Sequence, residues 1–392
     1  MNYNNPIPKN IASIIQISCI SLFALFCFVY IFCMEGDLLA HAQYVFAHGV
    51  TTYYRGVGAV VITLALIAVI HITYKLTHLE GRLYALNFFP SFLVLAMLTS
   101  LTNTTINNFT FDGWYWAAPL LIILYISVVW FIKRHFDAQI VEGDYKIGRY
   151  LWPNFLTLFI MMVLCGNCHK APDVFMYELK AERLILNGDY EKARKVGEES
   201  LVTSKRLNNL RAFALVQEGS LADHLFDYPQ NYGSEGLLDV LDTCSAEHRV
   251  TSKDVFAFLG ALPNSKIKTA RQYFDIMIKQ DSIANRQAII DYYLCSMLLD
   301  QDISTFKKNI FKYYRCSSSS DIASLPKSYK EVLVMDNKYA NSVTFPDTLM
   351  GADYKEYKRM CSEIADSTER SNQTHRAFGK TIWWYIDNVK MK

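Results

Sequence analysis

The chain has 392 residues, with 39 lysines and arginines against 37 aspartates and glutamates and a formal charge of +2. A balance this even generates no field strong enough to hold nucleic acid or another polyanion, and no nucleic-acid partner is expected. The averages conceal an uneven distribution. Between Ile11 and Leu164 the charged residues fall almost only in short gaps between long apolar runs, whereas from Lys170 onward both signs are frequent. The pattern predicts an all-α protein in two parts. Residues 1–165 form a transmembrane helical domain, with its backbone bonded inside helices and its side chains facing lipid. Residues 170–392 form a soluble α-helical domain large enough to bury its own core.

Five apolar runs are expected to cross the bilayer. Ile11 to Met34 is free of charge and exceeds the length that the hydrocarbon requires. It is also longer than the apolar core of a signal peptide, so it is expected to remain uncleaved. Val57 to Tyr74, Tyr84 to Leu101, Trp114 to Ile132 and Tyr150 to Leu164 follow. Lys9, then Lys75 and Arg82, then Lys133, Arg134, Lys146 and Arg149 mark alternate gaps. The other two gaps hold Arg55 alone and, over Asn103 to Asp112, no lysine or arginine. The positive-inside rule then puts the N-terminus in the cytoplasm, and five crossings put everything after Cys165 outside it. Trp114, Tyr115 and Trp116 on one side, and Trp130, Tyr150 and Trp152 on the other, suit the two interfaces. Only His71 reads as an ionisable group within a span, and its place beside Tyr74 and Lys75 fits an interfacial histidine.

The second part reads as helical hairpins. In Met176 to Ser204 an apolar helix stops at Gly188-Asp189-Tyr190 and a second begins at Ala193. Small residues at Ala181, Ala193 and Ser200 allow close approach of the two. This looks like a tetratricopeptide repeat. A second unit, Leu210 to Phe226, places Gly219 where Gly188 stood, 31 residues on. Val255 to Ile278 and Ala288 to Tyr314 are weaker copies, and the whole reads as a tetratricopeptide-like solenoid with insertions. Asp227 to Arg249 interrupts it with turn chemistry. Tyr228 and Tyr232 in that insertion are candidate partner-binding residues, because aromatic side chains are scarce in disordered linkers; packing of the loop onto its neighbours is the other reading. Ser317 to Ser320 and Tyr339 to Thr348 read as linkers. Two last helices, Tyr354 to Ser367 and Phe378 to Val389, are expected, and the second carries Trp383-Trp384-Tyr385.

The stretches Leu221–Leu238, Arg286–Tyr314, Leu325–Val334 and the aromatic end Thr381–Tyr385 resemble an uncharacterised family of Bacteroidota membrane proteins, domain-of-unknown-function family 6057. The resemblance covers most of Glu178 to Tyr385. It implies a multi-span N-terminal region and a repeat-like C-terminal domain, and it brings no activity and no catalytic residues.

One motif carries chemistry. Cys165-Gly-Asn-Cys168-His169 fits Cys-x-x-Cys-His, the attachment pattern for a c-type haem, in which the thiols bind the vinyl groups and His169 ligates iron. A disulfide or redox pair, or two ordinary thiols at a helix end, fit the same residues, and no cofactor is expected. There is no phosphate loop, HExxH or GxSxG elbow. The composite expectation is a membrane-anchored interaction module of the bacterial inner membrane. It displays its helical domain outside the cytoplasm to a protein or peptide partner. A transporter or membrane-enzyme subunit, and a haem or thiol redox protein, are the rivals.

Overall fold

The computed structural model describes residues 9–135, 147–168, 171–241, 248–260, 262–264, 266–280, 285–314, 319–335 and 348–389. His169 lies outside the described residues, as do most of the two linkers expected at Ser317–Ser320 and Tyr339–Thr348. Among the described residues every regular element is a helix and none is a strand. The chain divides into two compact units, Met1–Met176 and Tyr177–Lys392.

In the first unit five helical stretches are long and apolar enough to cross a membrane: Asn10–Met34, Arg55–Thr77, Gly81–Thr99, Trp114–His135 and Gly148–Gly166. The first comprises α1 (Lys9–Val29) and one π-helical turn, Tyr30–Met34. The second is α3 (Arg55–Thr77). The third opens as a 3-10 helix, Gly81–Phe88, and becomes α4 (Phe89–Thr99) at Pro90, whose missing N–H costs nothing in a first turn. α6 (Trp114–His135) and α7 (Gly148–Gly166) complete the set.

Their core is aromatic and small by turns. The Phe23 ring meets Phe88 and Phe92 edge-on at 5.3 and 5.0 Å, with Cys19, Cys27 and Leu95 filling the gaps. Neutral polar side chains bind the helices across this core. Asn154 of α7 donates to the carbonyls of Gly81 and Tyr150 and accepts from the Ala85 N–H, each at 2.7 Å. Ser91 of α4 donates to the Leu66 carbonyl of α3 at 2.9 Å. α6 stands apart from this pattern, with most of its apolar side chains facing outward.

Two elements between the spans were not anticipated. α2 (Gly36–Phe46) follows the π-turn directly and is buried on nearly every side. α5 (Asn103–Asn107) is short and is held by a capping box of Thr102 and Thr105. His71 is exposed on α3, while Glu35, Asp37 and His41 are buried, at 2%, 6% and 0% exposure. These three polar residues end the apolar run in the sequence, but the chain remains packed through them.

The second unit is built on helical hairpins that share one turn. α8 (Asp173–Leu186) ends where Gly188 takes φ +77°. The Gly188 N–H donates to Ile185 and the Asp189 N–H to Leu184, and α9 (Tyr190–Arg194) then begins at Asp189. This is a Schellman turn, with a left-handed residue satisfying the last carbonyls of the helix. The same pair of hydrogen bonds joins α10 (Lys205–Gln217) to α11 (Leu221–His224) around Gly219 at φ +68°. It recurs between α14 (Arg286–Leu299) and α15 (Ile303–Tyr313), where the left-handed position is Gln301 at φ +58°. α12 (Ser252–Leu259) and α13 (Ala270–Met277) lie between the second and third of these hairpins. α16 (Ser319–Ala323) and α17 (Lys327–Val334) follow them. Three helices close the described chain rather than the two expected: α18 (Thr348–Glu363), α19 (Ser367–Phe378) and α20 (Ile382–Asn388). α19 is polar almost all round and gave no periodic signal. Its start is fixed by Asp366, whose carboxylate accepts the Glu369 N–H at 2.7 Å.

Candidate functional site

The second helices of the first two hairpins are one turn long, and the reason leads to the site. α9 cannot extend past Gly197, which takes φ +63° with the Tyr177 ring against the place a Cβ would occupy. The carbonyl of Val196, freed there, accepts from Arg211 at 2.6 and 3.1 Å. Arg211 is fully buried, and its guanidinium lies 4.7 Å over the Tyr228 ring. Arg211 thus draws two segments to itself: the turn Glu198–Leu201 and the insertion Asp227–Asn231. Gln230 fixes the insertion further by donating to the Leu225 carbonyl at 2.8 Å, and Asn208 donates to the Pro229 carbonyl at 3.0 Å.

Between these segments and α19–α20 lies a cavity of about 490 Å³. Phe226, Tyr228, Trp384 and Tyr385 supply aromatic surface; Glu198 and Asp227 stand on one wall, Arg376 and Lys380 on the other. Lys380 pairs with Glu198 at 2.6 Å, and this contact holds the Glu198 carboxyl below and the Lys380 ammonium above their ordinary ranges. His224 lies 2.6 Å from Asp227. Beneath the cavity, Trp383 donates its indole N–H to the Glu331 carbonyl at 2.9 Å, and the Glu331 carboxylate accepts the Ile382 N–H at 3.0 Å. Burial pushes the Glu331 carboxyl up to about 7, with Lys327 opposing and Asp227 adding to the rise.

The structure separates the two tyrosines singled out in the insertion. Tyr228 is buried against Arg211 and reaches the cavity with part of its surface. Tyr232 is 38% exposed and donates its hydroxyl to the Thr203 carbonyl at 3.2 Å. Sequence reasoning missed Arg211, Trp384 as a cavity residue, and the whole wall from His375 to Lys380. The only cue for that wall was the Asp366-x-x-Glu369 start signal before a polar stretch.

A second constellation lies in the first unit. The thiols of Cys165 and Cys168 are free, the first buried and the second half-buried. Cys27 and Glu35 are within electrostatic reach of Cys165, and the Tyr30 hydroxyl lies near Glu35 and Thr99. Asp37 pairs with Arg55 at 3.8 Å, and the Arg55 guanidinium lies over the Phe32 ring at 5.7 Å. The His41 imidazole stands edge-on to Phe175. The π-turn is what delivers Glu35 to this place, since an extra residue in the turn rotates everything after it. Among the described residues no group of three histidine, cysteine or acidic side chains is placed to hold a metal ion.

Five apolar helices followed by a compact helical unit define the class: an all-α protein with the make-up of a membrane protein. The model of a family of unknown function, DUF6057, matches residues 12–267 and 265–388, and the chain belongs to that family. No curated protein matches the chain, and no solved structure does.

Proposed function

We propose that the protein is a membrane-anchored interaction module. It holds a tetratricopeptide-like helical domain at the outer face of a bacterial inner membrane, where the cavity of the second unit receives an extended segment of a partner protein. The observation that carries this reading is the lining of that cavity. Aromatic surface from Phe226, Trp384 and Tyr385 lies between walls of opposite charge, and its volume is in the range of natural ligand sites. Such a lining suits a peptide with an apolar side chain flanked by polar groups, and stacked helical hairpins present extended surfaces of the kind used for binding. The charge bias of the loops supports the orientation.

A photo-crosslinking residue at Leu201, which is exposed at the cavity edge, tests the binding. In cells it is expected to yield a discrete protein adduct that Trp384→Ala and Lys380→Glu each diminish, with hydrogen exchange of the second unit unchanged. An adduct indifferent to both substitutions would refute the cavity as the binding place. Orientation is read separately, with a reporter active only outside the cytoplasm. Fused after Lys392 it is expected to be active, and fused within Phe136–Asp144 silent; the opposite pattern rejects the five-span orientation.

A further inference from the structure

The cysteine pair of the membrane-spanning unit opens onto a second cavity. About 360 Å³ of space lies among α4, α6 and α7, walled by Phe89, Phe92, Trp114 and Leu121, and both Cys165 and Cys168 line it. The wall offers almost no hydrogen bonding. The Thr157 hydroxyl donates to the Pro153 carbonyl at 2.9 Å, and the Trp114 indole N–H donates to the Ser100 hydroxyl at 2.6 Å, so both are engaged. A fixed indole, two phenylalanine rings and two thiols remain facing the space.

The two cysteines lie one helical turn apart. The Cys168 N–H donates to the Cys165 carbonyl at 3.0 Å, so the chain makes a helical turn between them. Residues three apart on such a turn have α-carbons about 5 Å apart, within the range a disulfide spans. Closing the disulfide requires a two-electron acceptor, and the walls choose its chemistry. An apolar slot that opens within the spanning helices admits a flat, lipid-soluble ring and discourages charged, water-borne oxidants.

We propose that Cys165 and Cys168 form a redox pair oxidised by a membrane-dissolved quinone seated in this cavity. Two S–H bonds break and one S–S bond forms. The two electrons and two protons released convert the two quinone carbonyls to hydroxyls, giving the hydroquinone. The ring lies against Phe92 and Trp114, and the disulfide produced is the oxidising equivalent passed on to thiols that reach the half-buried Cys168. The inference is independent of the peptide-binding reading of the second unit, and either stands if the other fails.

The test uses the full-length protein in detergent, reduced and freed of reductant without air. The probe is a fully ring-substituted benzoquinone with a ten-carbon tail, which thiols cannot alkylate at an open ring position. Quinone absorbance and the Cys165–Cys168 disulfide, read by mass spectrometry after alkylation, are followed together. One quinone consumed per disulfide is expected, and Cys168→Ser abolishes both signals. Ala96→Phe and, separately, Leu93→Trp fill the slot from α4. Each is expected to slow oxidation by the quinone by about tenfold or more, the effect of some 1.4 kcal/mol on binding. Oxidation by diamide, a small water-soluble thiol oxidant that approaches the half-buried Cys168, keeps its wild-type rate and shows that each variant is folded with its thiols intact. The proposal is overturned if the wild type forms no quinone-dependent disulfide, or if both filled variants react with the quinone as fast as the wild type.

Discussion

The two units bury polar groups in different ways. In the first unit, whose five long apolar helices suit a membrane, the side chains that cross the core are neutral: Asn154 and Ser91 hydrogen-bond to backbone carbonyls and N–H groups of neighbouring helices. Its buried charges, Glu35 and Asp37, lie where the first span gives way to α2. In the second unit full charges are buried deep in the fold and answered individually. Glu182, 1% exposed, accepts from Arg206 at 2.8 Å, from the Arg249 guanidinium at 3.1 Å, and from the N–H groups of Arg249 and Val250. Burial alone would raise the Glu182 carboxyl; the two arginines and the Val250 N–H bring it below the usual carboxylate range. The contrast teaches what each solvent permits. A chain inserted in lipid finds partners for its polar groups even before the helices pack, so a bridging amide gains little and a charge risks much. A chain collapsing from water can bury a charge once several donors converge on it.

The sharpest way to break this contrast is to remove one anchor from each unit and compare. Glu182→Ala leaves Arg206 and Arg249 facing an empty place in the core. It is expected to cost the second unit about 3–5 kcal/mol, the usual penalty for uncompensated buried charge. Asn154→Ala in the first unit is expected to cost only about 1–2 kcal/mol, because the freed backbone groups have other partners in lipid. Hydrogen exchange of each unit in the full-length protein reads both. Equal losses would show that the bilayer exerts no special influence on how the bundle is joined.

A pH series sharpens the comparison within the second unit. The Glu331 carboxyl is held at about 7 by burial, whereas an unfolded glutamate titrates near pH ~4.3. The folded state therefore holds a proton that the unfolded state releases. The resulting stability is complete below about pH 4 and is lost as the pH rises through about 7. Glu331→Gln removes this dependence, so the wild type should lose about 3–4 kcal/mol more than the variant between about pH 4 and pH 8. Parallel curves for the two proteins would mean that Lys327, at 3.8 Å, keeps Glu331 charged throughout.

The smallest expected effects concern the shared turn. Gly188→Val places a β-branched residue at φ +77° and is expected to cost about 1–2 kcal/mol, although the surrounding space is open. Gln301→Gly relieves a side chain already in that conformation and is expected to add about 0.5 kcal/mol. Chemical denaturation resolves the first change. The second requires exchange at the α14–α15 turn, and no gain there would show that Gln301 repays its strain through the 2.8 Å hydrogen bond it donates to the Val389 carbonyl.

The spans were legible because an uninterrupted apolar run has few alternatives once it is long enough. The π-turn and α2 were not. Glu35, Asp37 and His41 end the run in sequence, and nothing local says that these polar groups remain inside. The shared turn was legible where glycine marks it, at Gly188 and Gly219, and invisible at Gln301, because left-handed backbone is a conformation that glycine eases and does not monopolise. Tyr228 and the insertion around it were marked by composition. The opposite wall of the cavity, from His375 to Lys380, belongs to a helix with no apolar stripe, which only a capping aspartate announces. The cysteine motif stood out by spacing alone, while Phe89, Phe92 and Trp114, which give it an apolar slot, come from spans far apart in sequence.

The ion pair between Lys380 and Glu198 spans 182 positions of sequence, and it is seconded by the Phe226 and Tyr385 rings, 5.2 Å apart. On the ribosome this separation becomes a delay. At ordinary elongation rates of about 5–20 residues per second, some 10–40 seconds pass between the emergence of Glu198 and that of its partner. Throughout that interval the first two hairpins can be complete while the cavity has only one wall. Phe226 and the face of Tyr228 are then open to whatever is nearby, and the peptide-sized slot is the last feature of the unit to be finished. A nascent chain of this protein is therefore most in need of protection in its final stretch of synthesis, when the aromatic floor exists and the helices that roof it do not.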